Sequence, residues 1–213
     1  YVLEIADQYE TVTAVYGTLT ITPRSVTMTS ATDTKEYDGT PLVNSNVEES
    51  GDGFVEGEGA SYDVTGSQTE VGESANEFTY TLNEGTLAAN YAIETVNGTL
   101  TVTKSSKPVT IESGSQSWKY DGEDHSYVKY TVTYGTGEDA ETIVGEEGQT
   151  EFTLPTGDKI TISDPASVKN VSDTAAKNNT FEYELENAEQ YESVETGYGK
   201  LSITPRSVTM TSS

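Results

Sequence analysis

The sequence predicts an all-β protein of tandem immunoglobulin-like β-sandwich domains in an elongated array, and three observations carry that prediction. The string ITPRSVTMTS occurs at Ile21–Ser30 and again, letter for letter, at Ile203–Ser212, 182 residues apart (203 − 21). Runs such as Val26-Thr27-Met28-Thr29 and Thr99-Leu100-Thr101-Val102-Thr103 alternate apolar and polar residues, as a strand does when one face is buried and the other wet. Turn signals recur at roughly ten-residue spacing with little helical periodicity, which suits a sandwich. A β-grasp arrangement is the alternative, and it needs a helix that the pattern does not supply.

The repeats set the domain boundaries. YVLEIADQYETVTAVYGTLTITPR at Tyr1–Arg24 aligns without a gap on YELENAEQYESVETGYGKLSITPR at Tyr183–Arg206, and Tyr80–Lys104 is a third, diverged version. TKEYDGTPL at Thr34–Leu42 answers SWKYDGEDH at Ser117–His125. The predicted division is 1–22, the C-terminal strands of an upstream repeat; 23–104, a first complete repeat; 105–205, a second repeat; and 206–213, the first strand of a following repeat. The second repeat carries extra residues between Tyr120 and Phe181, where TEFTL and DKITI are strand-like. ITPRSVTMTS is then a joint, the last strand of one unit and the first of the next.

Each element has a local reason. Threonine is abundant in the strands because its branched Cβ suits a pleated, half-exposed surface. Asn97-Gly98 between Val96 and Thr99 predicts a two-residue hairpin turn, with Gly17 and Gly199 in matching places. NEGTLAAN at Asn83–Asn90 is the one stretch suited to a short helical turn. In Tyr37-Asp38-Gly39 and Tyr120-Asp121-Gly122, the tyrosine is expected to anchor a strand end in the core and Asp-Gly to make the turn. Pro23 and Pro205 stiffen the exits from their strands, so the joints are short and not flexible tethers. Residues 1–22 lack the strands they should pair with. They are expected to lean on the first unit as a hairpin or to pair with a neighbouring molecule.

Composition removes several function classes. The chain holds 36 Asp and Glu against 11 Lys and Arg, a net charge of −25. Nucleic acid and anionic membrane surfaces are poor partners for such a chain, since affinity for phosphates comes mainly from cationic side chains. There is no Cys and a single His, so disulfides, thiolate nucleophiles and zinc–thiolate sites are excluded. No run approaches the length of a membrane-spanning helix, so membrane insertion is not expected. The chain opens in mid-pattern without an initiating Met and reads as a segment of something longer.

The strings TKEYDGTPLVNSNV, GDGFVEGEGASYDVTGSQTEVG, NEFTYTLNEG and NYAIETVNGTLTVT resemble the YDG/MBG-type tandem repeats of large bacterial cell-wall-anchored surface adhesins, chiefly of gut Firmicutes. The resemblance covers the first unit throughout and the start and end of the second. It implies small all-β domains stacked between an adhesive head and a wall anchor. It also implies exposure at the extracellular bacterial surface and a stalk or spacer role. It brings no catalytic or binding residues. The alternative role is adhesive, with the second unit's insertion and Trp118 touching a host glycan, mucin or protein. The expected partners are otherwise the neighbouring repeats, and the expected state is a monomer.

The residues offer little catalytic chemistry, and no enzyme is expected. His125 stands where the first unit has Leu42 and is read as a half-buried strand residue. Trp118 replaces Lys35 and is expected to face outward if Tyr120 faces in. No cofactor is called for. Calcium is the one metal with candidate loops, Asp52–Glu58 and Asp121–Asp124, and neither has the spacing of an EF-hand. Lys107 is the only first-strand lysine that could enter a Lys–Asn crosslink, but Leu201–Thr204 offers it no Asn or Asp. Asn97, Asn170 and Asn178 are glycosylation sequons, relevant only in a source that glycosylates them.

Overall fold

The computed structural model describes residues 8, 11 and 13–212. The first unit comprises β1 (Arg24–Ser30), β2 (Asp33–Glu36), β3 (Val47–Gly51), β4 (Ala60–Val64), β5 (Gly72–Asn76), β6 (Phe78–Leu82), β7 (Tyr91–Val96) and β8 (Gly98–Thr103). They form sheets ordered β3-β1-β7 and β2-β8-β5 and a β4-β6 ribbon, an all-β fold of the sandwich type. In β1 the alternation works as read: Val26 and Met28 point inward and are buried while Thr27 and Thr29 stay partly wet. The first and last strands, β1 and β8, lie in different sheets; each instead has a parallel partner one element in from the other end of the unit. β1 is parallel to β7, with Val26 opposite Ile93, and β2 is parallel to β8, with Asp33 opposite Leu100.

That arrangement overturns the hairpin at Asn97-Gly98. β7 and β8 do not pair with each other; they lie in different sheets, and the chain crosses between sheets at Asn97. Gly98 does not adopt a positive φ. It is needed for room, because a Cβ there would come within 2.3 Å of the Ala31 carbonyl oxygen. β1 and β2 make the matching crossing at Ala31-Thr32.

The double crossing is held by buried polar groups that no sequence motif marks. Gly98 N–H donates to Ser30 Oγ (2.9 Å), and Ser30 Oγ–H donates to the Asn76 carbonyl (2.5 Å). The Asn76 side-chain amide donates to the carbonyls of Ala31 (3.0 Å) and Asn44 (2.9 Å). The second unit repeats the device: Gly199 N–H to Ser113 Oγ (3.0 Å), Ser113 Oγ to the Asn179 carbonyl (2.6 Å), and the Asn179 amide to Gly114 (2.9 Å) and Tyr127 (3.1 Å). Buried backbone groups left over where two strands leave their sheets must find partners, and these side chains supply them.

The second unit comprises β9 (Val109–Ser113), β10 (Gln116–Lys119), β11 (His125–Ser126), β12 (Tyr130–Tyr134), β13 (Glu141–Val144), β14 (Glu151–Thr153), β15 (Lys159–Ser163), β16 (Ser167–Val168), β17 (Glu182–Leu185), β18 (Val194–Gly197) and β19 (Leu201–Thr204). Its sheets are β13-β12-β9-β18, β14-β15-β17, β10-β19 and β11-β16. β12 pairs with β9 as β3 pairs with β1, Tyr134 standing 83 positions on from Gly51 (134 − 51). β15 pairs with β17 as β4 pairs with β6, Ile160 standing 100 on from Ala60 (160 − 60). Most of the insertion therefore lies between β12 and β15 and contributes β13 and β14, each at the edge of a sheet. TEFTL belongs to it; DKITI is the common strand β15.

No described helix is longer than a single 3₁₀ turn, the first at Ala88–Asn90 inside NEGTLAAN, so the helix of a β-grasp fold is absent among the described residues. None is long and apolar enough to cross a membrane.

The two copies of ITPRSVTMTS occupy complementary halves of one role. In the first copy Ile21 is 97% exposed while Met28 is fully buried; in the second Ile203 is 3% exposed and Met210 93%. Strand and burial follow the partners, not the string: β19 takes up Ile203 and Thr204, whereas residues 207–212 have no strand beside them. The pairing expected of residues 1–22 falls partly on residues outside the described set. The described stretch 13–22 is exposed and makes no strand, so it does not lean on the first unit as a hairpin.

Candidate functional site: the seam between the units

No sheet mixes β1–β8 with β9–β19. The apolar core, however, is continuous across their junction. Val26, Met28 and Tyr91 form a cluster within the first unit, and Val168, Leu201 and Ile203 one within the second. The largest cluster joins Tyr37, Leu42, Leu100 and Val102 of the first to Val109, Tyr134, Tyr191 and others of the second. The two units therefore do not keep wholly separate cores, because the seam between them is itself packed.

Tyr37 is central to it. It follows β2 directly and is 5% exposed, but the residues that cover its hydroxyl belong to the second unit. Its hydroxyl donates to Asp158 Oδ2 (2.9 Å), and its ring meets Tyr191 edge-on, centroids 5.8 Å apart. Asp158 is itself buried. It accepts further hydrogen bonds from Tyr191 (2.5 Å), Thr156 Oγ1 (3.2 Å) and Asn187 Nδ2 (2.7 Å). No lysine, arginine or histidine forms an ion pair with it among the described residues. A buried carboxylate without a cation is tolerable only when such donors surround it. Burial, and then the hydrogen bond to Asp158, push the Tyr37 phenol up to about 12. The same causes raise Tyr191.

Around this centre the two units touch closely. Gly39 has φ +80°, and a Cβ there would lie 1.9 Å from the Thr156 carbonyl oxygen. Val71 N–H donates to the buried Gln190 side chain (2.5 Å), and Glu36 accepts from Ser106 N (3.2 Å) and Oγ (2.8 Å). Ser105 already bridges to Tyr191, and its hydroxyl sits 2.8 Å from Tyr134 OH. The Tyr-Asp-Gly of the first unit therefore makes the expected turn, with Asp38 Oδ1 accepting from Thr40 N (2.8 Å), while its tyrosine anchors in the neighbour's core.

The second Tyr-Asp-Gly is built alike and left open. Tyr120 N–H donates to the Thr204 carbonyl (2.9 Å) as Tyr37 N–H donates to Thr103 (2.8 Å), and Asp121 Oδ1 accepts from Glu123 N (3.0 Å). Yet Tyr120 is 40% exposed, so it does not anchor in a core as expected. Gly122, at φ +90°, has nothing near its missing Cβ. Trp118 does not face outward; it packs against Val168, Leu201 and Ile203 and stacks on His125, centroids 5.0 Å apart. His125 is half-buried in β11, as read, and its Nε2 lies 3.0 Å from Asp121 Oδ1.

In the candidate calcium loops several carboxylates are engaged within the chain. Asp52 accepts from Ser25 N and Oγ, and Glu58 from the Tyr91 hydroxyl (2.6 Å). Among the described residues no group of three or more His, Asp or Glu is placed to hold a metal ion. The Lys107 ammonium lies 5.3 Å from the Tyr134 ring centroid, a cation–π contact at the seam. Comparisons with family models, curated proteins and solved structures returned no match.

Proposed function

We propose that this chain is a run of structural stalk repeats from a bacterial cell-surface adhesin, spacers that project a distal binding region from the cell wall into the extracellular medium. The observation that carries this reading is the packed seam: Tyr37 and Gly39 of one unit are seated on Asp158, Tyr191 and Thr156 of the next. A repeat that fixes its neighbour by buried contacts adds length with direction, whereas a flexible linker would not. The acidic surface keeps such chains soluble and apart. Small-angle scattering tests the reading. A compact globule of this length would have a radius of gyration of about 17 Å; the stalk requires a markedly larger value, and one near the globular figure would overturn it.

An adhesive role for the second unit is the alternative. It is favoured by β13, an added edge strand with exposed Val144. Binding to mucin or a glycan array that is lost in Val144→Glu would select it.

A further inference from the structure

Among the described residues, the seam between the units has two unmatched halves at the outer faces of the same structure. Tyr120 and Val171 stand where Tyr37 and Val71 stand in the first unit, offset by 83 (120 − 37) and 100 (171 − 71). Both Tyr37 and Val71 reach across the seam, to Asp158 and Gln190. Tyr120 and Val171, with Pro205, Arg206 and Val208, instead line an open, largely apolar hollow. At the other extreme, the Tyr91 hydroxyl donates to Glu58 (2.6 Å) just as Tyr191 donates to Asp158 (2.5 Å), both partners again offset by 100 (191 − 91, 158 − 58). Beside that pair lies a second hollow lined by Ile21, Pro23, Val55 and Asn90, and Asn90 is the counterpart of Gln190.

We propose that the face carrying Tyr120 and Val171 is a docking surface for another copy of this repeat, whose Tyr91–Glu58 pair receives the Tyr120 hydroxyl. The occupant follows from the seam already present: the donor tyrosine, turn glycine and valine recur at one free face, and the tyrosine-held carboxylate recurs at the other. The contact is heterologous, one face meeting a different face, so it propagates without closing. The Thr-Pro-Arg-Ser seam is two residues shorter than the middle one, four positions from Thr204 to Val208 against six from Thr103 to Val109. It therefore leaves less slack between the faces it joins, which raises their effective concentration. This inference rests on the stalk reading, but it fails separately.

Because both joints share ITPRSVTMTS, residues 1–206 can be spliced to residues 25–213 with the joint sequence unchanged. The chain has no cysteine, so Val171→Cys in the second unit and Asn90→Cys in the third form a unique pair. Mild oxidation should close this disulfide at least tenfold faster than one between Val171→Cys and Glu48→Cys, a β3 position opposite Thr29 at the far end of β1. Adding Tyr120→Ala should remove the difference, and Val71→Cys with Gln190→Cys in the original chain is the positive control. Equal rates for the two pairs in a spliced chain that scatters as an extended particle would overturn the docking while leaving the stalk. A compact spliced chain would overturn both. Should the splice fail to fold, the Val171→Cys/Asn90→Cys full chain at millimolar concentration should yield disulfide-linked oligomers that the Val171→Cys/Glu48→Cys chain does not; equal yields would overturn the docking.

Discussion

Tyr37 and Asp158 are 121 residues apart in the chain and 2.9 Å apart in the structure, hydroxyl to carboxylate across the junction of two units. Tyr37→Phe keeps the ring against Tyr191 and removes one donor from a buried carboxylate. A hydrogen bond to a charged group is worth about 1.5–3 kcal/mol. Denaturant unfolding should show a loss of that order, and Tyr120→Phe, at the exposed counterpart, should show almost none in the same chain.

The two turn glycines separate backbone strain from contact. Gly39 and Gly122 both have positive φ, so alanine at either should cost about 1–2 kcal/mol. Only at Gly39 would the new methyl also strike the Thr156 carbonyl. Gly39→Ala should therefore destabilise clearly more than Gly122→Ala, and calorimetry should assign the difference to the seam. Equal effects would mean that the units do not touch there in solution.

The repeated string offers an internal control on burial. Met28→Ala should cost about 2–5 kcal/mol, as emptying a packed core position does. Met210→Ala, within the same seven residues RSVTMTS, should change stability by less than about 0.5 kcal/mol because its side chain is exposed. Thermal melts of the two variants make the comparison directly.

Asn76→Ala should remove both donors to the Ala31 and Asn44 carbonyls and cost about 2 kcal/mol or more. Asn179→Ala should behave alike in the second unit. Hydrogen exchange should then rise first at the crossings, at Gly98 or Gly199.

Alkali should loosen the seam. Tyr37 is held up to about 12 from its ordinary value of 10 by burial and by its bond to Asp158, so the folded state favours the neutral phenol. That stabilisation is whole below pH 10 and is lost progressively as pH rises towards about 12. Unfolding midpoints measured across this window should fall, and Tyr37→Phe should make the fall shallower.

The all-β class was legible because it rests on alternation, which the strands keep. The crossings were not. Asn97-Gly98 carries a strong hairpin signal, but the glycine answers to the Ala31 carbonyl, a neighbour remote in sequence. Ser30 and Asn76 sit in no motif of their own, and the contact of Asn76 with Ala31 emerges only when segments 45 residues apart meet. The Tyr-Asp-Gly turn was visible from its own residues, whereas what its tyrosine touches depends on which unit follows.

The parallel pairing of β2 with β8 sends the chain into a unit at one pole and out at the opposite one. A pull on the two termini then acts along the strands. The bonds between Asp33–Glu36 and Leu100–Thr103 must yield together in shear, since they cannot peel away singly. A short ladder loaded this way is a mechanical clamp, and β10 on β19 supplies a second one in series.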